Sequence, residues 1–359
     1  METGEKNYLS KTEVLMLKGF AVIFMFIHHF LTFPEMHADV IDYPYINNHV
    51  QYLREPFRIC VSIFVFVTGY TYFYVQNKCL KYSIKKICIL LVDYWLVYFI
   101  FELISIGWKF SEFDFHIFLK GCLGLNQSIM TFCWYVFFYV FMMLIFPYLS
   151  ALLDNDHFSA GITGIMLPVI LCTVFRIYLT GDEMGNWIWN FLLFIPVMCI
   201  GYIYAKYNIF FKVYDSFMDR LGNIFFKDII LCIMIVVAVW GRYFCPNLTV
   251  GYINDEAMMK LNMDILYAPM FIYACVNLAR QFKNNRIHVI SELGKQSMLM
   301  WFGSCIFFNS SKPLFQPILY LPKNPVLVVI WGTFLCYIFA LLISFITKPI
   351  NDLIKKNLS

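Results

Sequence analysis

Residues 17–30 read LKGFAVIFMFIHHF, an apolar run that carries one cation, Lys18, and two imidazoles, His28 and His29. An imidazole ionises near neutrality, so it can take a proton from a hydroxyl and give it back. An ammonium can hold a phosphate or a carboxylate. At about 100° per residue, the step from Lys18 to His29 brings the two within about 20° of one another, with His28 about 80° away on the other side. Lys18 and His29 therefore share one stripe, about 16 Å apart along the axis. Ionisable groups inside a bilayer are costly and usually face the bundle interior with a function. Asp93, Glu102 and Asp264 also fall inside apolar runs. Glu102 and Asp264 lie near the outer ends of theirs, where solvated or snorkelling carboxylates are expected. For His28 the plain alternative is a hydrogen bond to a neighbouring helix, and geometry alone does not separate that reading from chemistry at His29.

The elements that must carry these groups follow from composition. Of 359 residues, 61% are hydrophobic and only 14% charged, against roughly 25% charged in soluble domains. Apolar windows near 14–33, 59–76, 84–106, 129–148, 158–180, 187–206, 226–245, 261–280, 297–311 and 325–346 are long enough for a bilayer, which takes about 20 residues. They predict an all-α, polytopic membrane helix bundle of about ten transmembrane helices, with the first window retained as a span. Linkers are short, so residues 1–359 are expected to form a single transmembrane domain with no appended soluble domain. Of the 27 Lys and Arg, seventeen fall in loops on one side and nine on the other, Lys18 being the remainder. The excess places both termini in the cytoplasm of a multi-pass cell-membrane protein. A net charge of +4 without a basic stripe excludes nucleic acid as a partner. None of the twelve cysteines forms a CxxC pair, so they read as packing residues and no metal site is expected.

Several stretches, in order, resemble the acyltransferase-3 family of integral membrane O-acyltransferases. KGFAVIFMFIHH is similar to the family's opening, a basic residue and Gly followed by a His eleven positions after the basic one, here Lys18, Gly19 and His29. SIFVFVTGYTYF resembles the second-span pattern ending in Ser-Gly, with Thr68 before Gly69. KYSIKKICILLVDYW resembles the basic cluster entering the third span, with Lys85 and Lys86, and Asp93 where Pro is usual. CWYVFFYVFMMLIFP is similar to the Trp-Tyr start of the fourth span, here Trp134 and Tyr135. FIPVMCIGYIYAK resembles the family's Gly-containing span that ends on a basic residue, and LGKQSMLMWFGSC is similar to a late Leu-Gly-Lys-x-Ser pattern followed by an aromatic. That late pattern often ends in His, where Ser304 stands here, and Lys18 replaces a frequent Arg.

The resemblance implies transfer of an acyl group, usually acetyl, from acyl-CoA to a hydroxyl of a cell-surface or lipid-linked sugar, in a bacterial plasma membrane and its envelope. On that reading acetyl-CoA is the donor substrate, and the partners are the bilayer, acyl-CoA and a sugar or glycan acceptor. A homo-oligomer is compatible with it. The residues expected to act are His29 as general base, Lys18 beside it and Asp93 as an orienting carboxylate. Lys85, Lys86 and Lys18 are expected on the CoA phosphates, and Trp134, Tyr135, His28 and Ser304 on the acceptor. The rival reading is a transporter or flippase for a lipid-linked glycan. It predicts paired breaks in two inverted halves, and Pro168, Pro196 and Pro269 show no such symmetry.

Overall fold

The computed structural model describes residues 8–33, 50–130, 132–178, 183–220, 222, 224–250, 259–282 and 285–358. The helices, in chain order, are α1 (Lys11–Leu31), α2 (Ile59–Phe73), α3 (Leu80–Gly107), α4 (Phe115–Cys122), α5 (Trp134–Asp154) and α6 (Phe158–Tyr178). They continue with α7 (Glu183–Lys206), α8 (Ile224–Phe244), α9 (Asp264–Gln281), α10 (Asn285–Ser304), α11 (Lys312–Leu319) and α12 (Pro325–Asn357). Among the described residues the only sheet is a hairpin of β1 (Asn247–Val250) and β2 (Met259–Asn262), antiparallel with Asn247 opposite Asn262. Among the described residues each of the ten apolar windows overlaps a helix. Six segments, Lys11–Leu31, Arg54–Phe73, Leu80–Gly107, Trp134–Asp154, Ile224–Phe244 and Pro325–Asn357, are long and apolar enough to cross a membrane. The pair Leu193–Lys206 and Phe210–Arg220, bent by 71°, makes a seventh if it is one span. The chain is therefore an all-α polytopic membrane protein, with six or seven such spans among the described residues where the sequence windows suggest about ten.

The helices gather into two compact units, each built from separated stretches of chain. The first holds residues 1–21, 55–78 and 148–294, and the second holds 22–54, 79–147 and 295–359.

In the first unit the family-like glycines are packing residues. A Cβ on Gly19 would collide with the carbonyl of Ile290, and one on Gly294 with that of Leu15. The α1–α10 crossing thus brings two backbones into contact from both sides. A Cβ on Gly69 would likewise strike the Met198 carbonyl, and one on Gly201 the Phe66 carbonyl, which closes the α2–α7 crossing the same way. Small residues that let backbones touch are a general device of membrane helices. We expect Gly69→Val to lower stability by about 1–3 kcal/mol through overpacking, read as a fall in the thermal midpoint of the purified protein.

Asp264 corrects the expectation of a solvated carboxylate. It is fully buried, and it accepts from Arg242 Nε at 2.7 Å, from the Ser62 hydroxyl and, through Asn262 Oδ1, its own N–H is capped at 3.0 Å. Arg242, 3% exposed, also donates to the Glu55 carbonyl at 2.9 Å and meets its carboxylate at 3.5 Å. The window edge misled because it fixes depth along the helix and says nothing of which face packs.

In the second unit, the C-terminal half of α1 is held by Tyr320, whose hydroxyl donates to the Phe30 carbonyl at 2.8 Å. Asp114 caps α4, accepting from His116 N–H at 2.8 Å and Ile117 N–H at 3.0 Å. Those amides, Ile117 first, hold its carboxyl below the usual range. From α3, Tyr94 donates to the Gly121 carbonyl at 2.6 Å and Trp95 to that of Cys122 at 2.8 Å, so α4 is clamped at its far end.

Candidate active site

His29 sits in the second unit in a box of aromatic rings. Its imidazole stacks on Phe132 with centroids 3.9 Å apart and planes 12° from parallel. The edges of Phe33 and Phe308 close two further sides at 6.2 and 6.5 Å. The residue is only 7% exposed, and Nδ1 is buried with no hydrogen-bond partner. Leaving a buried polar nitrogen unmet costs about 1–3 kcal/mol, so the site holds a ring whose hydrogen-bonding capacity the fold does not consume.

The wall facing that ring is itself under constraint. Phe132 has φ +68°, the left-handed region that bulky side chains avoid. Such a conformation costs of order 1–3 kcal/mol and persists only where the surroundings over-determine it. Here Phe132 N–H donates to Gln127 Oε1 at 3.1 Å, and Asn309 Nδ2 donates to the Ile129 carbonyl at 2.9 Å. Asn309, 3% exposed, also accepts from Ser311 N–H at 2.8 Å. The Asn309 side chain therefore ties the segment bearing Phe132 to the one bearing Phe308.

The other expected residues fall into several groups. His28 is 8% exposed, and its Nδ1–H donates to the Arg54 carbonyl at 2.8 Å. That bond fixes Nε2 as the acceptor nitrogen of the neutral ring. Its ring lies 5.3 Å from that of His29, and the Arg54 guanidinium covers Phe33 at 3.9 Å. Trp134 and Tyr135 open α5 just after Phe132, with Tyr135 edge-on to Trp301 at 5.4 Å. Ser304 is fully buried and donates to the Trp301 carbonyl, one turn back in its own helix, at 2.7 Å. Its hydroxyl hydrogen is used within its own helix.

The Asp93 carboxylate accepts from Asn351 Nδ2 at 2.9 Å and from the Thr347 hydroxyl, both on α12. The α3 face that carries it packs on α12, so its lone pairs are met there. Lys86 is exposed at the start of α3, its ammonium 5.6 Å from the Tyr82 ring, and the charges that act on it are those of Lys85 and Lys355. Lys355 pairs with Asp352 at 2.8 Å. Lys18, on the part of α1 in the first unit, is half-buried and engaged by its surroundings. Among the described residues no group of three or more His, Cys, Asp or Glu could hold a metal ion.

Sequence reasoning missed Phe33, Phe132, Phe308, Asn309 and Lys355. Only Asn309 carried a local signal, as an Asn-Ser-Ser triplet, and its burial shows that packing, not glycosylation, uses it.

The chain matches no curated protein and no solved structure. It does match the family model described as an acyltransferase domain, acyltransferase-3, over residues 13–348. That stretch takes in His29 and every wall of its box, and the chain belongs to the acyltransferase-3 family and is a multi-pass membrane acyltransferase.

Proposed function

We propose that the protein moves an acetyl group from acetyl-CoA to a hydroxyl of a cell-surface or lipid-linked sugar, with His29 as general base. The observation that carries this reading is the His29 imidazole itself, sealed among rings with Nδ1 unmet in a chain of an acyltransferase family. Buried polar groups without partners are rare in native structures and call for a functional explanation. The acceptor hydroxyl gives its proton to the imidazole as its oxygen attacks the thioester carbonyl carbon. The carbon–sulfur bond then breaks, and the imidazolium returns that proton to the leaving thiolate. A low-dielectric box strengthens whatever charge contacts form there.

The donor's phosphates are taken by Lys85 and Lys86, a reading supported by the Lys355 charge that acts on Lys86. The excess of loop Lys and Arg on one side argues that this end faces the cytoplasm, where acyl-CoA is made. Family membership favours this enzyme over a glycan transporter.

Exposed ammonium–phosphate contacts are individually weak and screened by salt. Lys85→Ala with Lys86→Ala should therefore raise KM for acetyl-CoA by about three- to tenfold with little change in kcat. The difference should shrink as salt rises. An unchanged KM at low salt removes these lysines from the donor site. The activity is tested by thiol release from acetyl-CoA and by acetyl incorporation into sugar acceptors, using purified protein in lipid nanodiscs. Sugar movement across the bilayer without CoA dependence contradicts it.

A further inference from the structure

A base alone leaves one charge of the reaction unmet. As the acceptor hydroxyl attacks the thioester, its proton passes to His29 and the carbonyl electron pair moves onto oxygen, so an oxyanion forms near the imidazole. Donors and charges fixed in advance where that oxygen stands are usually the largest single contribution to such catalysis. The side chains around His29 differ in what they can give it. Phe33, Phe132 and Phe308 are rings without a polar atom. The neutral His28 ring has one N–H, which goes to the Arg54 carbonyl at 2.8 Å. Glu102, expected in solvent, is instead only 6% exposed, but a carboxylate repels an oxyanion.

Arg54 has the right sign and stands at the right wall. Its guanidinium carbon lies 3.9 Å from the centre of the Phe33 ring, and that centre lies 6.2 Å from the centre of the His29 ring. The two steps, 3.9 and 6.2 Å, bound the separation of guanidinium and imidazole at 10.1 Å. A reacting hydroxyl stands about 3 Å from its base and an oxyanion about 3 Å from its donor, which fits inside that bound with the carbonyl between them. Three contacts close a circuit that holds the arginine. The guanidinium lies on Phe33, Phe33 meets the His28 ring edge-on at 5.0 Å, and His28 Nδ1–H returns to the Arg54 carbonyl. The stack uses the face of the guanidinium, whereas its five N–H donors lie in its plane. The charge is thus held in place by a contact that consumes no donor. His28, His29, Phe33 and Arg54 all belong to the second unit, and Arg54 is half-buried, where a charge contact is worth more than in bulk water.

We propose that the Arg54 guanidinium stabilises the oxyanion that forms at the thioester carbonyl as the acceptor hydroxyl attacks beside His29. This rests on the reading of the protein as an acetyltransferase with His29 as base, and it adds the group that meets the developing negative charge. When the tetrahedral intermediate collapses, the electron pair returns from oxygen to the carbonyl and the carbon–sulfur bond breaks. The thiolate takes the proton from the imidazolium, and Arg54 is left facing a neutral ester.

The test is thiol release from acetyl-CoA by the full-length protein in phosphatidylcholine nanodiscs, with water or octyl β-D-glucoside as acceptor. Arg54→Gln should lower kcat by about 10²–10³-fold, the cost of removing one such donor. KM for acetyl-CoA should stay within about threefold of the wild type, because the contact is made only in the transition state. Arg54→Lys keeps the charge and loses the planar fork, so kcat should fall by about tenfold. In Arg54→Ala, methylguanidinium should restore turnover saturably and methylammonium far less, whereas an arginine that only packs would shift the melting temperature and leave kcat in place. His29→Gln, measured beside these, separates the two assignments. Full activity there with loss in Arg54→Gln removes the base and supports the stabiliser. Loss there with wild-type kcat in Arg54→Gln overturns the proposal and leaves the base standing. If Arg54→Gln does not fold, wild-type kcat in Arg54→Lys overturns it equally. So does a rise in KM for either substrate at unchanged kcat, which would make Arg54 a ground-state binding residue.

Discussion

His29→Ala should lower acetyl transfer by about 10²–10⁴-fold, the contribution of a positioned general base. That range corresponds to roughly 3–5 kcal/mol of transition-state stabilisation. The variant should still fold. The ring makes no hydrogen bond through Nδ1, so its loss orphans no partner, and the box around it is closed by Phe33, Phe132 and Phe308. His29→Gln keeps most of the bulk and removes the titrating group, and it should fall with the alanine variant. Size-exclusion behaviour and thermal melting separate lost chemistry from lost structure. A glutamine variant as active as the wild type would make His29 a packing residue.

Asp264→Ala is expected to have the largest effect on stability. It leaves the Arg242 guanidinium, 3% exposed, without its 2.7 Å carboxylate partner. Breaking a buried pair from one side costs about 3–5 kcal/mol, because the surviving charge is uncompensated. For a chain of this size that is a fall in melting temperature of about 10 °C. Replacing both partners, Asp264→Leu with Arg242→Met, should recover much of the loss, since an apolar pair of similar volume is often as stable as a buried ion pair. The rest of the Arg242 contacts run to Glu55, whose exposure lets water take over. An Asp264→Ala variant that melts with the wild type would mean that the pair contributes little.

The helices were legible in the sequence because a bilayer demands long apolar runs, and each window overlaps a helix among the described residues. The two glycine crossings were half legible. Gly19, Gly69, Gly201 and Gly294 stood out as motif positions, but which backbone each one meets is a tertiary fact. His29 was legible through its helical phase with Lys18 and through the family pattern. Its walls were not: a left-handed Phe132 leaves no trace in apolar periodicity, and Phe308 reaches the ring from a segment almost 280 positions away. Depth along a helix placed Asp264 in solvent, whereas the neighbour that decides is Arg242, and the partners of Asp93, Asn351 and Thr347, lie more than 250 positions away where no local pattern shows them. Lys355 lies 269 positions from Lys86 and joins its cluster only once α12 packs on α3.

The most direct test of the base assignment is chemical rescue. In His29→Ala, imidazole added to the purified protein should enter the space left between the Phe132 and Phe308 rings and restore acetyl transfer in a saturable way. A series of substituted imidazoles should then give rates that rise with their basicity. Rescue of this kind is what the account predicts. Undiminished transfer in the alanine variant, or a folded, CoA-binding variant that no imidazole revives, would contradict it.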